Sequence, residues 1–196
     1  IEGSGKSFHL DNVAKYLKKK NKPFIKIREP GGNPNSEKIR KLILNNKSNF
    51  NENTDLLLYM AARSENINLI QKFYSKKIIL IDRFIDSTIA YQHFGMGVDL
   101  KLIKSLNNFL LKKIKINFTF LNIVNSKNMS ARLRKRKKLN RYDQFNSHFY
   151  KKVQDGFIAL SNVNRNKYLK IDSNLEISLN KKIIISKIDS LIKWHT

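Results

Sequence analysis

Apolar residues recur along this chain in two rhythms. Leu10, Val13, Ala14 and Leu17 lie at helical spacing after Lys6, and Phe24-Ile25-Lys26-Ile27 then follows as a short strand. Ile78 to Ile81 and Phe118 to Ile123 read as buried strands, with Tyr168 to Ile171 as a further short one. The stretches between them are long enough for helices. Residues 126 to 138 and 143 to 161 read as two helices joined through a basic run, and Ile184, Ile188, Leu191 and Ile192 give a final helix an apolar face. Strands separated by helices require crossover connections, so the pattern predicts an α/β fold with a central parallel sheet flanked by helices. No repeat, linker or composition break divides the 196 residues, and one domain over 1–196 is expected. Asparagine-rich stretches around 45–53 and 162–167 read as surface loops.

Composition narrows the chemistry. With no cysteine, disulfides, thiolate metal sites and cysteine nucleophiles are excluded. His9, His93, His148 and His195 are scattered without metal-ligand spacing. No apolar run approaches the ~20 residues of a membrane span, so no membrane partner is expected. The formal charge of +24 suits a partner carrying many phosphates. An AT-rich genome would yield the same excess of lysine, asparagine and isoleucine without any binding role. The run Arg132-Leu133-Arg134-Lys135-Arg136-Lys137-Lys138 differs, because it concentrates three arginines in a chain that otherwise favours lysine.

Gly3-Ser4-Gly5-Lys6-Ser7, opening a helix, matches the second half of G-x-x-x-x-G-K-[ST]. The first glycine would fall just before Ile1, and the hydrophobic strand that normally leads into such a loop is expected upstream. Glycines let backbone N–H groups wrap phosphate at a helix N-terminus; Lys6 would neutralise phosphate oxygens and Ser7 would ligate Mg²⁺. Arg28-Glu29-Pro30-Gly31-Gly32 follows a strand directly, where α/β folds gather ligands. It also fits an ordinary turn. Asp82-Arg83 ends the strand 78–81; Asp82 could hold Mg²⁺ and Arg83 a substrate phosphate, although a rim ion pair would look the same.

These segments, together with Tyr59-Met60-Ala61-Ala62-Arg63, Asp82 through Gln92, Ala131 through Arg136, Asn140-Arg141-Tyr142-Asp143 and Phe149-Tyr150, resemble the thymidylate kinases in order and spacing over nearly the whole chain. The resemblance implies a P-loop nucleoside monophosphate kinase that phosphorylates dTMP with ATP and Mg²⁺, in the cytoplasm and as a homodimer. It implies that Gly3, Ser4, Gly5, Lys6, Ser7, Phe8 and Arg132 meet ATP. On the dTMP side it implies Glu2 at the 3′-hydroxyl, Arg28 and Pro30 at the turn, and Arg63 and Arg83 as cations. Tyr59 would stack on thymine, Ser87 and Gln92 would read the base edge, and Tyr91 would wall the sugar. The basic run would be a lid, roughly 132–145. Gly3 stands where a second type of the family has a P-loop arginine, so the bacterial type follows, with Arg136 or Arg141 supplying the transition-state cation beside Lys6 and Arg83.

Four positions depart from the family pattern: Phe8 and Asn33 where threonine is usual, and Asn122 and Asn140 where aspartate is usual. The alternative is a catalytically degraded kinase fold that binds nucleic acid through its +24 charge. Under the kinase reading, nucleic acid is not an expected partner.

Overall fold

A computed structural model describes residues 1–112, 114–136 and 139–193. Lys137 and Lys138 of the basic run, and His195, lie outside the described residues. Four strands form, β1 (Phe24–Arg28), β2 (Ile78–Asp82), β3 (Thr119–Ile123) and β4 (Tyr168–Asp172). β1 pairs in parallel with β2, and β3 in parallel with β4. The expected single sheet is thus two parallel pairs. Residues 1–5 have loop backbone and close no ladder between them, but they bridge the C-terminal ends of the pairs. Ser4 C=O accepts from Asn122 on β3 and from Ser173 just past β4, while Ser7 Oγ donates to Asp82 at the end of β2.

The helices are α1 (Lys6–Lys19), α2 (Pro34–Leu44), α3 (Glu52–Phe73), α4 (Ile85–Thr88), α5 (Leu100–Leu111), α6 (Ser126–Arg134), α7 (Ser147–Val163) and α8 (Ile177–Lys193). Asparagine starts four of them. Asn33, Asn51, Asn125 and Asn146 each accept the N–H three residues on, which ends α2, α3, α6 and α7 cleanly at their N-termini. On one face, α1 and α8 pack Val13, Leu17, Ile184 and Ile188 against Leu80 and Ile171, so a single apolar layer spans both strand pairs. Tyr16 on α1 also donates to Asp189 on α8 at 2.5 Å. On the other face, Ile27 packs with Ile67 and Ile70 of α3.

Between α4 and Asp99 the chain widens into a π-helical turn, Ile89–Gly95, in which Met96 N–H reaches back five residues to Tyr91 C=O. This turn packs closely on α7. A Cβ on Gly156 would stand 2.6 Å from the Phe94 ring, and one on Gly95 would stand 2.6 Å from Phe149. The missing side chains are what let the two helices touch.

Gly156→Val is expected to force that contact apart and to lower stability by about 1–3 kcal/mol, read as a shift of the urea midpoint. Lys151→Ala, which removes only the exposed pair with Asp155 on the same helix, should move it by less than about 1 kcal/mol.

Candidate active site

The loop after Ile1 turns through Gly3 and Gly5 at positive φ and delivers Lys6 to the first turn of α1. Lys6 Nζ donates to Ile1 C=O at 2.6 Å and lies 3.5 Å from Ser4 Oγ. Burial, reinforced by repulsion from Arg83, lowers the Lys6 ammonium to about 8. Ser7 Oγ is 3.3 Å from Asp82 Oδ2, and Asp82 Oδ1 is buried without a hydrogen-bond partner among the described residues. A carboxylate and a hydroxyl at this spacing form a hard oxygen pair, a donor set that fits Mg²⁺ completed by phosphate and water oxygens.

Arg83 follows Asp82 at φ +66, the left-handed region that costs a branched or long side chain strain and clusters at functional sites. That conformation turns its guanidinium onto Glu2 Oε2 at 2.7 Å and over the Tyr91 ring at 5.1 Å. Tyr91 in turn donates to Glu2 Oε1 at 3.3 Å. Burial alone would raise the Glu2 carboxyl, but Arg83 and Lys6 outweigh it and bring the group down to about 2. Arg136, within the basic run, comes within 4.0 Å of Glu2 and is held by Asp143 at 2.6 Å.

One cavity collects these groups. It is lined by Glu2, Lys6, Ser7, Asp82 and Arg83, by Tyr59, Ser87, Tyr91 and Gln92, and by Pro30 and Arg136. Burial pushes the Tyr59 phenol up to about 12, so it stays neutral at any working pH. The structure also brings in Arg40 and Leu44, which the sequence reading missed, and Asn140 and Tyr142, which it had quoted in a motif without giving them a site role. Arg40 donates to Pro30 C=O at 2.6 Å and adds a third arginine to the lining. It sits on the helix that the Pro-Gly-Gly turn launches, and its being an arginine in a lysine-rich chain was the available signal.

The remaining expected residues lie outside this cavity. Arg28 is exposed and forks onto Glu37, whose carboxylate also accepts Gly32 N–H, so it braces the turn. Arg63 is fully buried, donating to Glu29 at 2.8 Å, to Asn107 at 2.6 Å and to Thr88 at 3.0 Å. Arg132 donates to Gly3 C=O and Ser173 C=O on the outer side of the loop, and Phe8 is exposed beside His9. Arg141 turns inward to Asp55 rather than toward Lys6. Three of the four departures have structural partners: Asn33 caps α2 and donates to Asn66, Asn122 holds Ser4 C=O, and Asn140 forms a capping box with Asp143 around a 3₁₀ turn, Arg141–Gln144.

The family model described as thymidylate kinase matches residues 1–184. The thymidylate kinase of Thermosipho africanus is 34% identical over 100% of this chain and 95% of its own length. That of Sulfurihydrogenibium sp. is 34% identical over 96% of this chain and 93% of its own. Among solved structures, a crystal structure of thymidylate kinase from Ehrlichia chaffeensis superposes with a TM-score of 0.76 at 30% identity, covering 96% of this chain and 94% of that one.

Arg63→Met should destabilise the fold by about 3–5 kcal/mol, because it strands the Glu29 carboxylate in the core. Burial already raises the Glu29 carboxyl, with Arg63 opposing that rise. Without Arg63 the folded state should hold the Glu29 proton more tightly than the unfolded chain does, so the loss should shrink as pH falls into the carboxylate range. Urea unfolding of both proteins at pH 5 and pH 8 measures this; an equal loss at both would contradict it.

Proposed function

The chain belongs to the thymidylate kinase family, and from the geometry of its cavity we infer how it carries dTMP phosphorylation by ATP. The observation that carries this reading is one cavity lined both by the cations Lys6, Arg40, Arg83 and Arg136 and by Tyr59, Tyr91 and Gln92. The cations suit phosphates and the aromatic rings suit a base with its deoxyribose.

In this reading ATP lies on the glycine loop, its β and γ phosphates meeting backbone N–H groups and Lys6, with Arg132 on the outer side. Ser7 and Asp82 would hold Mg²⁺, which when bound neutralises phosphate charge. dTMP places its phosphate toward Arg40 and Arg83, its sugar against Tyr91 with the 3′-hydroxyl at Glu2, and its base over Tyr59 within reach of Ser87 and Gln92. An oxygen of the dTMP phosphate attacks the γ phosphorus in line, the bond to the β,γ-bridging oxygen breaks, and ADP leaves with the electron pair. Such a transition state spreads charge over the equatorial oxygens, and fixed cations stabilise it. Arg136 lines the cavity and Arg141 does not, so the geometry favours Arg136 for that role. The salt-bridged Arg63 and the Arg28 turn act behind the cavity wall, setting where Pro30 and Ser87 stand.

Residues 132–145 would close as the lid of a single domain and exclude water from the transfer. A homodimer belongs to the same reading, supported by the apolar residues that α3 and α5 leave exposed, Leu57 and Phe109. Among the described residues no helix is long and apolar enough to cross a membrane.

ATP-dependent conversion of dTMP to dTDP is expected, and Lys6→Ala should abolish it. Arg136→Ala should cut kcat by at least about 100-fold with little change in KM for dTMP. A larger loss from Arg141→Ala than from Arg136→Ala would reverse the assignment of the two. Salt-sensitive DNA binding without dTMP turnover would overturn the kinase reading. Because Lys6 titrates near 8 in the free protein, phosphate binding should raise it and draw in up to about half a proton at pH 8. Calorimetry of ATP binding in buffers of different ionisation enthalpy reads that uptake, which should be absent in Lys6→Met.

A further inference from the structure

Asp55 lies on α3 one helical turn before Tyr59, with 1% of its surface exposed, and it belongs to none of the sequence motifs discussed above. Its Oδ1 accepts from Arg141 Nη2. Its Oδ2 accepts from the Tyr142 hydroxyl and, at 3.0 Å, from Gln92 Nε2. A carboxylate has no proton to give, so Gln92 can face Asp55 only with its NH₂ edge. The other Nε2 proton points to the Tyr142 oxygen at 3.4 Å, which accepts because its own proton goes to Asp55. Both donors of the amide are therefore turned away from any ligand. What remains is Gln92 Oε1, buried and without a partner among the described residues, on a side chain that is 0% exposed and forms part of the cavity wall. A buried acceptor left unmatched costs free energy until a donor arrives.

Pyrimidines differ at the matching atom. Thymine and uracil carry N3–H, a donor; cytosine has a bare N3, an acceptor, which would meet Oε1 lone pair to lone pair. We propose that Asp55 is a specificity-positioning residue: it locks the Gln92 amide so that Oε1 accepts N3–H of a pyrimidine imide, and so admits thymine while refusing cytosine. The proposal rests on the reading of this cavity as the dTMP site and adds the group that dictates which end of the Gln92 amide the base meets. Sites that hydrogen-bond a substrate group in this way can discriminate strongly, because the wrong base leaves a buried polar group unpaired.

The Asp55→Asn variant makes a directional test. Its remaining oxygen is claimed by the Arg141 guanidinium, which can only donate, so the new NH₂ group faces Gln92 and drives that amide to turn over. The cavity would then present a donor. The ratio of kcat/KM for dTMP to that for dCMP should fall at least tenfold, with dCMP gaining as dTMP loses, and dUMP should follow dTMP. A merely supporting role for Asp55 would slow both nucleotides alike and leave the ratio unchanged, which would overturn the proposal. In a Gln92→Leu background, Asp55→Asn should have no further effect on the ratio; a persisting effect would also overturn it.

If Asp55→Asn does not fold, proton NMR of the wild-type complex decides. A slowly exchanging N3 imino proton of bound dTMP is expected, absent in Gln92→Leu, and its absence in wild type would count against the assignment. Failure of the wild-type protein to turn over dTMP would instead remove the kinase reading itself, a result distinct from turnover with an unaltered ratio.

Discussion

The buried pair of Arg63 with Glu29 organises the site from behind. Its guanidinium leaves α3 and ends on three other segments: the turn after β1 through Glu29, α4 after β2 through Thr88, and α5 through Asn107. Those segments carry Pro30, Ser87 and, through the turn that follows α4, Tyr91 and Gln92, while α3 itself carries Tyr59. A single planar cation with a fixed fork of donors thus sets the mutual positions of Pro30, Tyr59, Ser87, Tyr91 and Gln92 in the cavity lining. Lysine could not do this, having one nitrogen on a flexible stem. Two charges removed from water would be a poor source of stability by themselves. Their gain is in geometry, since elements distant in sequence are held by directional bonds.

The cavity is tuned by excess of one sign. Four cations, Lys6, Arg40, Arg83 and Arg136, share the lining with two carboxylates, Glu2 and Asp82. Burial lowers Lys6 and repulsion from Arg83 adds to it, while Arg83 and Lys6 hold Glu2 low against its own burial; incoming phosphates would relieve the excess of positive charge. Charge preorganised in this way needs no rearrangement as negative charge redistributes during transfer. The strained backbone of Arg83 belongs to this arrangement, as it aims the guanidinium at Glu2 and Tyr91 rather than out to solvent.

Much of this was legible in the sequence, and the part that was not has a physical reason. Short motifs around glycine, proline and charged pairs mark positions where backbone must turn beside a ligand, so Lys6, Asp82 and Arg83 could be found without coordinates. All four strands were visible as apolar runs, each ending within a residue or two of its place in the structure. Their grouping into two pairs was not, because pairing is set by what lies between strands rather than within them. Arg63, Arg28 and Arg141 could be singled out, but not which carboxylate each would meet; Glu37 and Asp55 are partners that only the fold supplies. Asp55 escaped notice because a lone acid on a helix is ordinarily a solvated one, and here it is sealed in by Tyr142, Gln92 and Arg141. The asparagines at 33, 122 and 140 looked like losses, yet each makes hydrogen bonds through its amide, where threonine had been expected at 33 and aspartate at 122 and 140.

The π-helical turn at Ile89–Gly95 bears on how this protein can change over generations. An α-helix advances about 100° per residue, so a wide turn amounts to one residue more than the regular spiral requires. Removing any one residue there would restore the tighter spiral and swing every later side chain around the axis by about that angle, taking Gln92 or its neighbours off the cavity and lifting Gly95 from Phe149. Within this stretch the number of residues is therefore under tighter constraint than the identity of several of them. Substitutions can accumulate at outward positions, whereas insertions and deletions should be purged.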